Sequence, residues 1–419
     1  MLNKLHIQNF KSLRDVTLNL GRLNVFVGAN ASGKSNILDA LRVLQGIGNS
    51  YSISEILNGK PKGAINDQWS GIRGGSAYAT FMGTPVRPVK IDVSAKFTRE
   101  FKRNGKQGTE KFDIDYSIGF DAKKSRLTAE HLYFDENVVY NTGSLKNKPG
   151  ATNFRAQFYA EHNKPSIVLN DASMPILSQL SGLSGEWEQK DIKNKWANRC
   201  KGFLNHLADT QRIEPLPTVL REYTYASEIG RMGEHGENFA GLIKGICRDS
   251  QLKAAYLTWL QHLRPDEVED VGTIDGAVGD SMFAITEGGK HFPAPTLSDG
   301  TLRFAALAAV FFQPDMPAAI TIEEPENGIH PNRLRLLMEL LREQSARTGT
   351  QVFITTHSPV LLDWLQPKDY AHTFFCRRNE EDSNESKVRS LADIPLFNDV
   401  VKQASLGELF AEGWLEDAL

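Results

Sequence analysis

Residues 28–35, Gly28-Ala29-Asn30-Ala31-Ser32-Gly33-Lys34-Ser35, fit the pattern GxxxxGK[ST]. Glycines at its ends let the backbone turn tightly enough for N–H groups to close on phosphate oxygens, and a helix begun there adds its positive dipole end. In such a loop Lys34 offers a point charge to the outer phosphates and Ser35 a hydroxyl to magnesium. Glu323 and Glu324, inside Ala319-Ile320-Thr321-Ile322-Glu323-Glu324-Pro325-Glu326, form a second group. Neighbouring residues of a strand point to opposite sides, so the two carboxylates need different jobs. One suits a magnesium shell and the other the polarisation of an attacking water. Taken alone, an acidic start to the next helix is the plainer account; the phosphate loop in the same chain favours the chemical one.

Two weaker signals accompany these. Leu297-Ser298-Asp299-Gly300-Thr301 opens an apolar segment, with Ser298 as N-cap and the N–H groups of Asp299, Gly300 and Thr301 facing outward as an anion site. Capped helices beginning Ser-Asp are common, so this signal means little by itself. In Thr355-Thr356-His357-Ser358-Pro359 a histidine follows an apolar run, where its imidazole can hydrogen-bond a terminal phosphate or the attacking water. A satisfied loop histidine is the competing account.

These groups require elements that hold them. Leu23-Asn24-Val25-Phe26-Val27 predicts a short strand buried on both faces, and Ile37, Leu38, Leu41 and Leu44 predict a helix over 36–44. Strand, glycine loop and helix thus follow in the order a phosphate loop needs. Two further apolar runs, 318–322 and 351–355, predict parallel strands joined by a helix over 332–343. Between 89 and 140 polar and apolar residues alternate, which predicts an antiparallel meander. The stretch 142–165 is polar and reads as an exposed loop, and 186–263 is dominated by helical spacing. The expected class is α/β. The expected parts are an N-terminal core segment at 1–88, an antiparallel β-lobe at 89–141, a mainly helical insertion at 142–290 and a C-terminal core segment at 291–419.

The whole composition narrows the field. The chain has 419 residues, 48 Lys+Arg against 51 Asp+Glu, and a net charge of −3. That excludes a disordered chain and argues against nucleic-acid binding by overall charge, though a local basic patch remains open. Three cysteines at unrelated spacings indicate neither a disulfide framework nor a zinc site. The apolar run ending at Phe312 is cut short by Gln313-Pro314-Asp315, well below the roughly 20 residues a membrane span needs. The first residues alternate like a strand rather than a targeting segment, so a soluble, cytoplasmic protein without a membrane partner is expected.

In this order the four elements carry a resemblance that none carries singly. The chain resembles the RecF/SMC-like branch of the ABC ATPases, and most closely the stand-alone bacterial ATPases related to the overcoming-lysogenisation-defect (OLD) family. Leu5-His6-Ile7-Gln8-Asn9-Phe10-Lys11-Ser12-Leu13 is similar to that family's opening strand, whose basic residue, here Lys11, approaches the nucleotide. Residues 28–36 match its Walker A, which makes Asn30, Ala31, Ser32, Gly33, Lys34, Ser35 and Asn36 the implied nucleotide contacts. Leu297-Ser298-Asp299-Gly300 matches the signature, with Ser298, Asp299 and Gly300 as contacts. Residues 320–324 match Walker B, and His357 matches the switch histidine. Glu326-Asn327-Gly328-Ile329-His330-Pro331 stands at the D-loop position. Departures are informative: Glu323 replaces the usual Walker B aspartate, and Leu-Ser-Asp-Gly differs from the transporters' Leu-Ser-Gly-Gly-Gln. Gln68 is the candidate Q-loop residue, a surface glutamine being an equal account. Most of 37–296 matches less specifically.

The resemblance implies an ABC-type P-loop ATPase core, a mixed and mainly parallel sheet with flanking helices. It implies ATP and Mg2+ as cofactors and two chains paired head to tail, or a higher oligomer, with each nucleotide between one phosphate loop and the other chain's residues 298–300. Glu324 is then the general base, His357 the γ-phosphate sensor and Lys34 the charge stabiliser; Ser35 and Glu323, with Gln68, form the magnesium shell. Relatives serve DNA maintenance or phage defence beside a nuclease or toxin. The tail after His357 lacks an acidic catalytic set, so a Toprim nuclease is not expected there and a separate effector is. Two other readings stand beside this switch: a nucleotide-binding scaffold that holds an effector or toxin inactive, and a RecF-like DNA binder. The second would use Lys102, Arg103, Lys106 and Lys111, or Lys123, Lys124 and Arg126, on phosphates, although charged hairpin tips are usually just solvated.

Overall fold

The computed structural model describes residues 1–60, 69–83, 86–103, 106–142, 153–159, 166–180, 195–225, 230–264, 267–382 and 384–418. They form two compact units. The first comprises Met1–Gly21, Gly28–Thr210 and Phe375–Ser390; the second comprises Arg22–Val27, Gln211–Phe374 and Leu391–Leu419. Both are discontinuous in sequence.

The first unit is built on an eight-stranded antiparallel sheet. Its order is Leu13–Asn19, Leu2–Phe10, Val89–Arg103, Lys106–Asp121, Arg126–Phe134, Asn137–Asn141, Asn153–Phe158 and Ser166–Asp171. Alternation sets one face inward: Leu5 and Ile7 on one strand, Ile91, Val93 and Ala95 on its neighbour, and Ile114, Tyr116 and Ile118 beyond are all buried. Each such large apolar side chain contributes about 1.5–3 kcal/mol on leaving water. The helix Lys34–Gly48 buries Ile37, Leu38, Ala40, Leu41, Val43, Leu44 and Ile47. Gly48 lets its end lie against the helix Lys195–Ala208, because a Cβ there would run into the Ala208 backbone.

Three expectations change here. The antiparallel strands are not confined to 89–141, because the N-terminal hairpin Leu2–Phe10 and Leu13–Asn19 joins the same sheet. The span read as a loop contains the strand Asn153–Phe158, paired with Ser166–Asp171 from Asn153↔Asp171 to Phe158↔Ser166. Its apolar residues Phe154, Ala156 and Phe158 are buried and alternate with polar ones, a period too short to stand out inside a polar stretch. The span 142–290 is also mixed rather than mainly helical. Besides the helices Lys195–Ala208, Phe239–Arg248 and Ser250–Leu263 it holds the strand Asp280–Glu287 with antiparallel partners Thr224–Tyr225, Asp270–Asp275 and Lys290–Pro293.

The second unit holds the predicted parallel strands. Ala319–Glu323 pairs with Gln351–Thr356, which pairs with Leu23–Val27, all parallel. Every residue of Leu23–Val27 and of Gln351–Thr356 is buried, as strands covered on both faces require. Asn24 tolerates this because its side-chain amide donates to the Val352 carbonyl at 3.2 Å. The register aligns Glu323 with Thr355 and Thr356 with Val27, so the three strands end along one edge. From that edge the chain runs on into Glu324, His357 and Gly28. The linking helix is Leu334–Thr348, preceded by a 3-10 turn at Pro331–Arg333. Among the described residues no helix is long and apolar enough to cross a membrane.

Candidate functional site

The loop that follows Val27 is shaped by its backbone. Gly28 (φ 153°), Ala31 (φ 63°) and Gly33 (φ 103°) all have positive φ. A Cβ on Gly28 would meet the Cys376 carbonyl oxygen, and one on Gly33 would meet the Ser386 side chain and Ser12 Oγ. Ser12 Oγ bonds Ser386 Oγ at 2.7 Å and accepts the Asn36 side-chain amide at 2.7 Å, so three segments far apart in sequence form the seat of this loop. The helix Lys34–Gly48 has Gly33 as N-cap, with no side-chain cap. Lys34 is buried, and its Nζ donates to the Gly28 and Ala29 carbonyls at 2.6 and 2.8 Å. Ser32 Oγ is buried without a hydrogen-bond partner among the described residues. Ala29 and Asn30 are exposed, and Ser35 is partly so.

Below this loop Lys11 Nζ is ion-paired with the buried Asp39 and donates to the Arg73 carbonyl at 2.8 Å. Arg73 in turn reaches Asp39 at 3.2 Å and the Ser35 carbonyl at 2.5 Å. Lys11 therefore braces the first turns of the phosphate-loop helix. Asp39 and Arg73 were not foreseen, since neither belongs to a linear motif. Gln68, the candidate Q-loop residue, lies outside the described residues.

In the second unit the two expected carboxylates do point apart. Glu324 sits in the left-handed region (φ 45°), held there by its N–H, which donates to the Thr355 carbonyl at 3.0 Å. This conformation is costly for a residue with a Cβ, about 1–2 kcal/mol. It swings the side chain to His357, whose Nδ1 lies 2.8 Å from Glu324 Oε1, while the Asn327 amide donates to Oε2 at 3.0 Å. Glu323 instead meets Arg212 at 3.3 Å. The same guanidinium reaches Glu214 at 3.0 Å and Glu234 at 3.3 Å, so one cation serves three carboxylates. Arg212 lies in a four-residue strand beside Ala319–Glu323, with nothing in its flanking sequence to mark it.

Ser298 caps the helix Asp299–Val310, its Oγ accepting the Thr301 N–H at 3.2 Å. Arg221 fixes the start of this helix by donating to the Leu297 carbonyl at 3.0 Å and to Asp299 at 2.5 Å. Gly300 is required because a Cβ would strike the Gly328 carbonyl oxygen, and Arg303 donates to the Asn327 carbonyl at 3.2 Å. The segments matching the signature and the D-loop are thus in direct contact, and residues 324–329 also carry Glu324.

The residues fit the groups the motifs imply. A cradle that a Cβ would fill, an uncapped helix start and the unpartnered Ser32 hydroxyl suit phosphate oxygens. The Ser35 hydroxyl at the start of the same helix is an oxygen donor of the kind a hard cation such as magnesium takes.

Residues 1–174 match a family model described as AAA ATPase domain, and residues 204–363 match one described as AAA domain, putative AbiEii toxin, Type IV TA system. An ATP/GTP phosphatase of Helicobacter pylori is 22% identical, with 91% of this chain and 93% of that protein covered. An OLD nuclease of Thermus scotoductus is 21% identical over 87% of this chain, which spans 60% of that protein's length. A solved SMC head bound to the C-terminal winged-helix domain of ScpA covers 93% of this chain and 97% of its own at 14% identity, with a TM-score of 0.47. Both matched segments are ATPase-domain segments, and the chain is similar to OLD-like and AbiEii-like proteins.

Proposed function

We propose that this chain hydrolyses ATP and uses the cycle as a switch that governs a separate effector, a nuclease or toxin, in phage defence or DNA maintenance. The observation that carries the reading is the Glu324–His357 pair at 2.8 Å, set by a left-handed Glu324 at the end of a buried parallel strand, in a chain with a formed phosphate loop. The loop N–H groups and Lys34 hold the phosphates; Ser35 and Glu323 hold magnesium, which when bound supplies charge neutralisation at the phosphate oxygens. Glu324 orients an attacking water and takes its proton, and His357 keeps the Glu324 carboxylate aimed. A neighbouring copy would offer Ser298 and the N–H groups of Asp299 and Gly300 to the outer phosphate, so that two copies close head to tail around nucleotide. The name of the Helicobacter pylori relative supports hydrolysis, and the OLD and AbiEii descriptions support the setting.

Glu324→Gln tests this directly. It keeps the shape and removes the base, so phosphate release should drop by about 10²–10⁴-fold while ATP still binds. Light scattering should then show an ATP-dependent doubling of mass. Hydrolysis at the wild-type rate removes Glu324 as the base, and a monomer in saturating ATP removes the dimer.

A further inference from the structure

Glu326 is the third carboxylate of the run, and its surroundings differ from those of the other two. Glu323 and Glu324 are partly exposed, whereas Glu326 is buried. Its Oε1 accepts the Thr356 hydroxyl at 2.5 Å and the His357 backbone N–H at 3.4 Å. Thr356 Oγ1 in turn accepts the Ser358 N–H at 3.0 Å. The other oxygen, Oε2, is buried and has no hydrogen-bond partner among the described residues. Burial moves this carboxyl above the usual carboxylate range, while the bonds from Thr356 and the backbone oppose the shift. A carboxyl group in such a place is unfavourable unless the geometry it imposes is needed.

That geometry concerns His357. The imidazole is 42% exposed and meets Glu324 through Nδ1. An exposed ring keeps its aim only if the backbone beneath it is fixed, because its rotamer freedom is otherwise cheap to regain. Residues 356–358 are the turn that leaves the strand Gln351–Thr356, and Glu326 is bonded to two of its three residues directly and to the third through Thr356.

We propose that Glu326 is a positioning residue: its buried carboxyl pins the 356–358 turn to the loop that carries Glu324, and so aims the His357 ring at Glu324. This deepens the reading of Glu324 and His357 given above and rests on it. The working feature is one acceptor oxygen rather than a charge. Glutamine supplies that oxygen and alanine does not; Thr356→Val removes the donor that faces it.

The test uses the full chain, with phosphate release and ATP titration on E326A, E326Q and T356V, each corrected for its folded fraction by thermal unfolding. E326A should lower kcat about 10- to 100-fold, the range for a misaimed group, with KM changed less than about twofold. E326Q should restore most of kcat, and T356V should fall between. A second readout does not depend on turnover: the ring 15N spectrum of His357, assigned by the signal missing from H357Q. With Nδ1 against a carboxylate the wild-type ring carries its proton there; E326A should give mixed tautomers and E326Q should not. The proposal is overturned by an unchanged His357 spectrum in E326A, by E326Q as slow as E326A, or by a loss of kcat that the folded fraction accounts for. If E324Q hydrolyses normally while E326A still disturbs the spectrum, the base assignment fails and the positioning role stands.

Discussion

The phosphate loop and the Glu324–His357 loops achieve order by opposite means. Residues 28–36 are shaped by backbone: two glycines that admit no Cβ, a positive φ at Ala31, and a lysine bonded to its own loop's carbonyls. Residues 323–329 and 356–358 are shaped by side chains, in which Glu323, Glu324 and Glu326 each take a different partner from elsewhere in the chain. A backbone device must be written contiguously, because its atoms are neighbours along the chain. A side-chain device need only be assembled by folding, so its members leave no common pattern.

Substitutions can break this contrast. The largest effect belongs to Gly33→Ala. The added Cβ meets Ser386 and Ser12 at a φ of 103°, so the loop must open. Losing two backbone bonds to charged oxygens, each about 1.5–3 kcal/mol, should weaken ATP binding about 100-fold or more, as calorimetry can read. Arg212→Ala comes next and should act on metal use rather than on nucleotide binding. Without the guanidinium, Glu214, Glu234 and Glu323 lose the cation they share. The magnesium needed for half-maximal hydrolysis should fall about three- to tenfold as the site gains negative potential, while kcat falls because Glu323 loses its anchor. An unchanged magnesium dependence would mean that Arg212 does not govern Glu323.

The smallest effect sharpens the contrast away from both loops. Glu130, fully buried in the antiparallel sheet unit, accepts the Tyr116 and Tyr140 hydroxyls at 3.0 and 2.8 Å and the Ile176 and Leu177 N–H groups at 2.6 and 2.9 Å. Burial raises it to about 7 from 4.5 despite these bonds. An acid raised on folding binds its proton more tightly in the folded state, so the stability of this unit should fall as pH rises from about 4.5 to 7. E130Q should flatten that slope in thermal unfolding, at a cost of about 1–3 kcal/mol for the acceptor it removes. A slope unchanged in E130Q would place the titration elsewhere.

How much was legible in the sequence follows the same division. The phosphate loop, the strand–carboxylate edge at Glu323 and Glu324, and the Ser298 cap were readable because each is a local rule of period, turn chemistry or capping. His357 was readable by its place after a strand. Arg212 and Asp39 were not, since their partners lie far away in sequence. Glu326 was visible as an acid in an acidic run and as the first residue of the D-loop match, but not its burial or its bond to Thr356, thirty positions later. The strand Asn153–Phe158 was missed because its polar residues, which face outward, outweigh three inward apolar ones in composition.

The seat beneath Gly33 is completed by Ser386, whose hydroxyl bonds Ser12 across 374 positions of sequence. During synthesis this serine leaves the ribosome long after the lysine-bearing loop. A nascent chain therefore carries its phosphate ligands long before it carries the floor that shapes them. A chain that stops before Ser386 should therefore hold nucleotide less well, because Gly33 lacks the seat that shapes its loop.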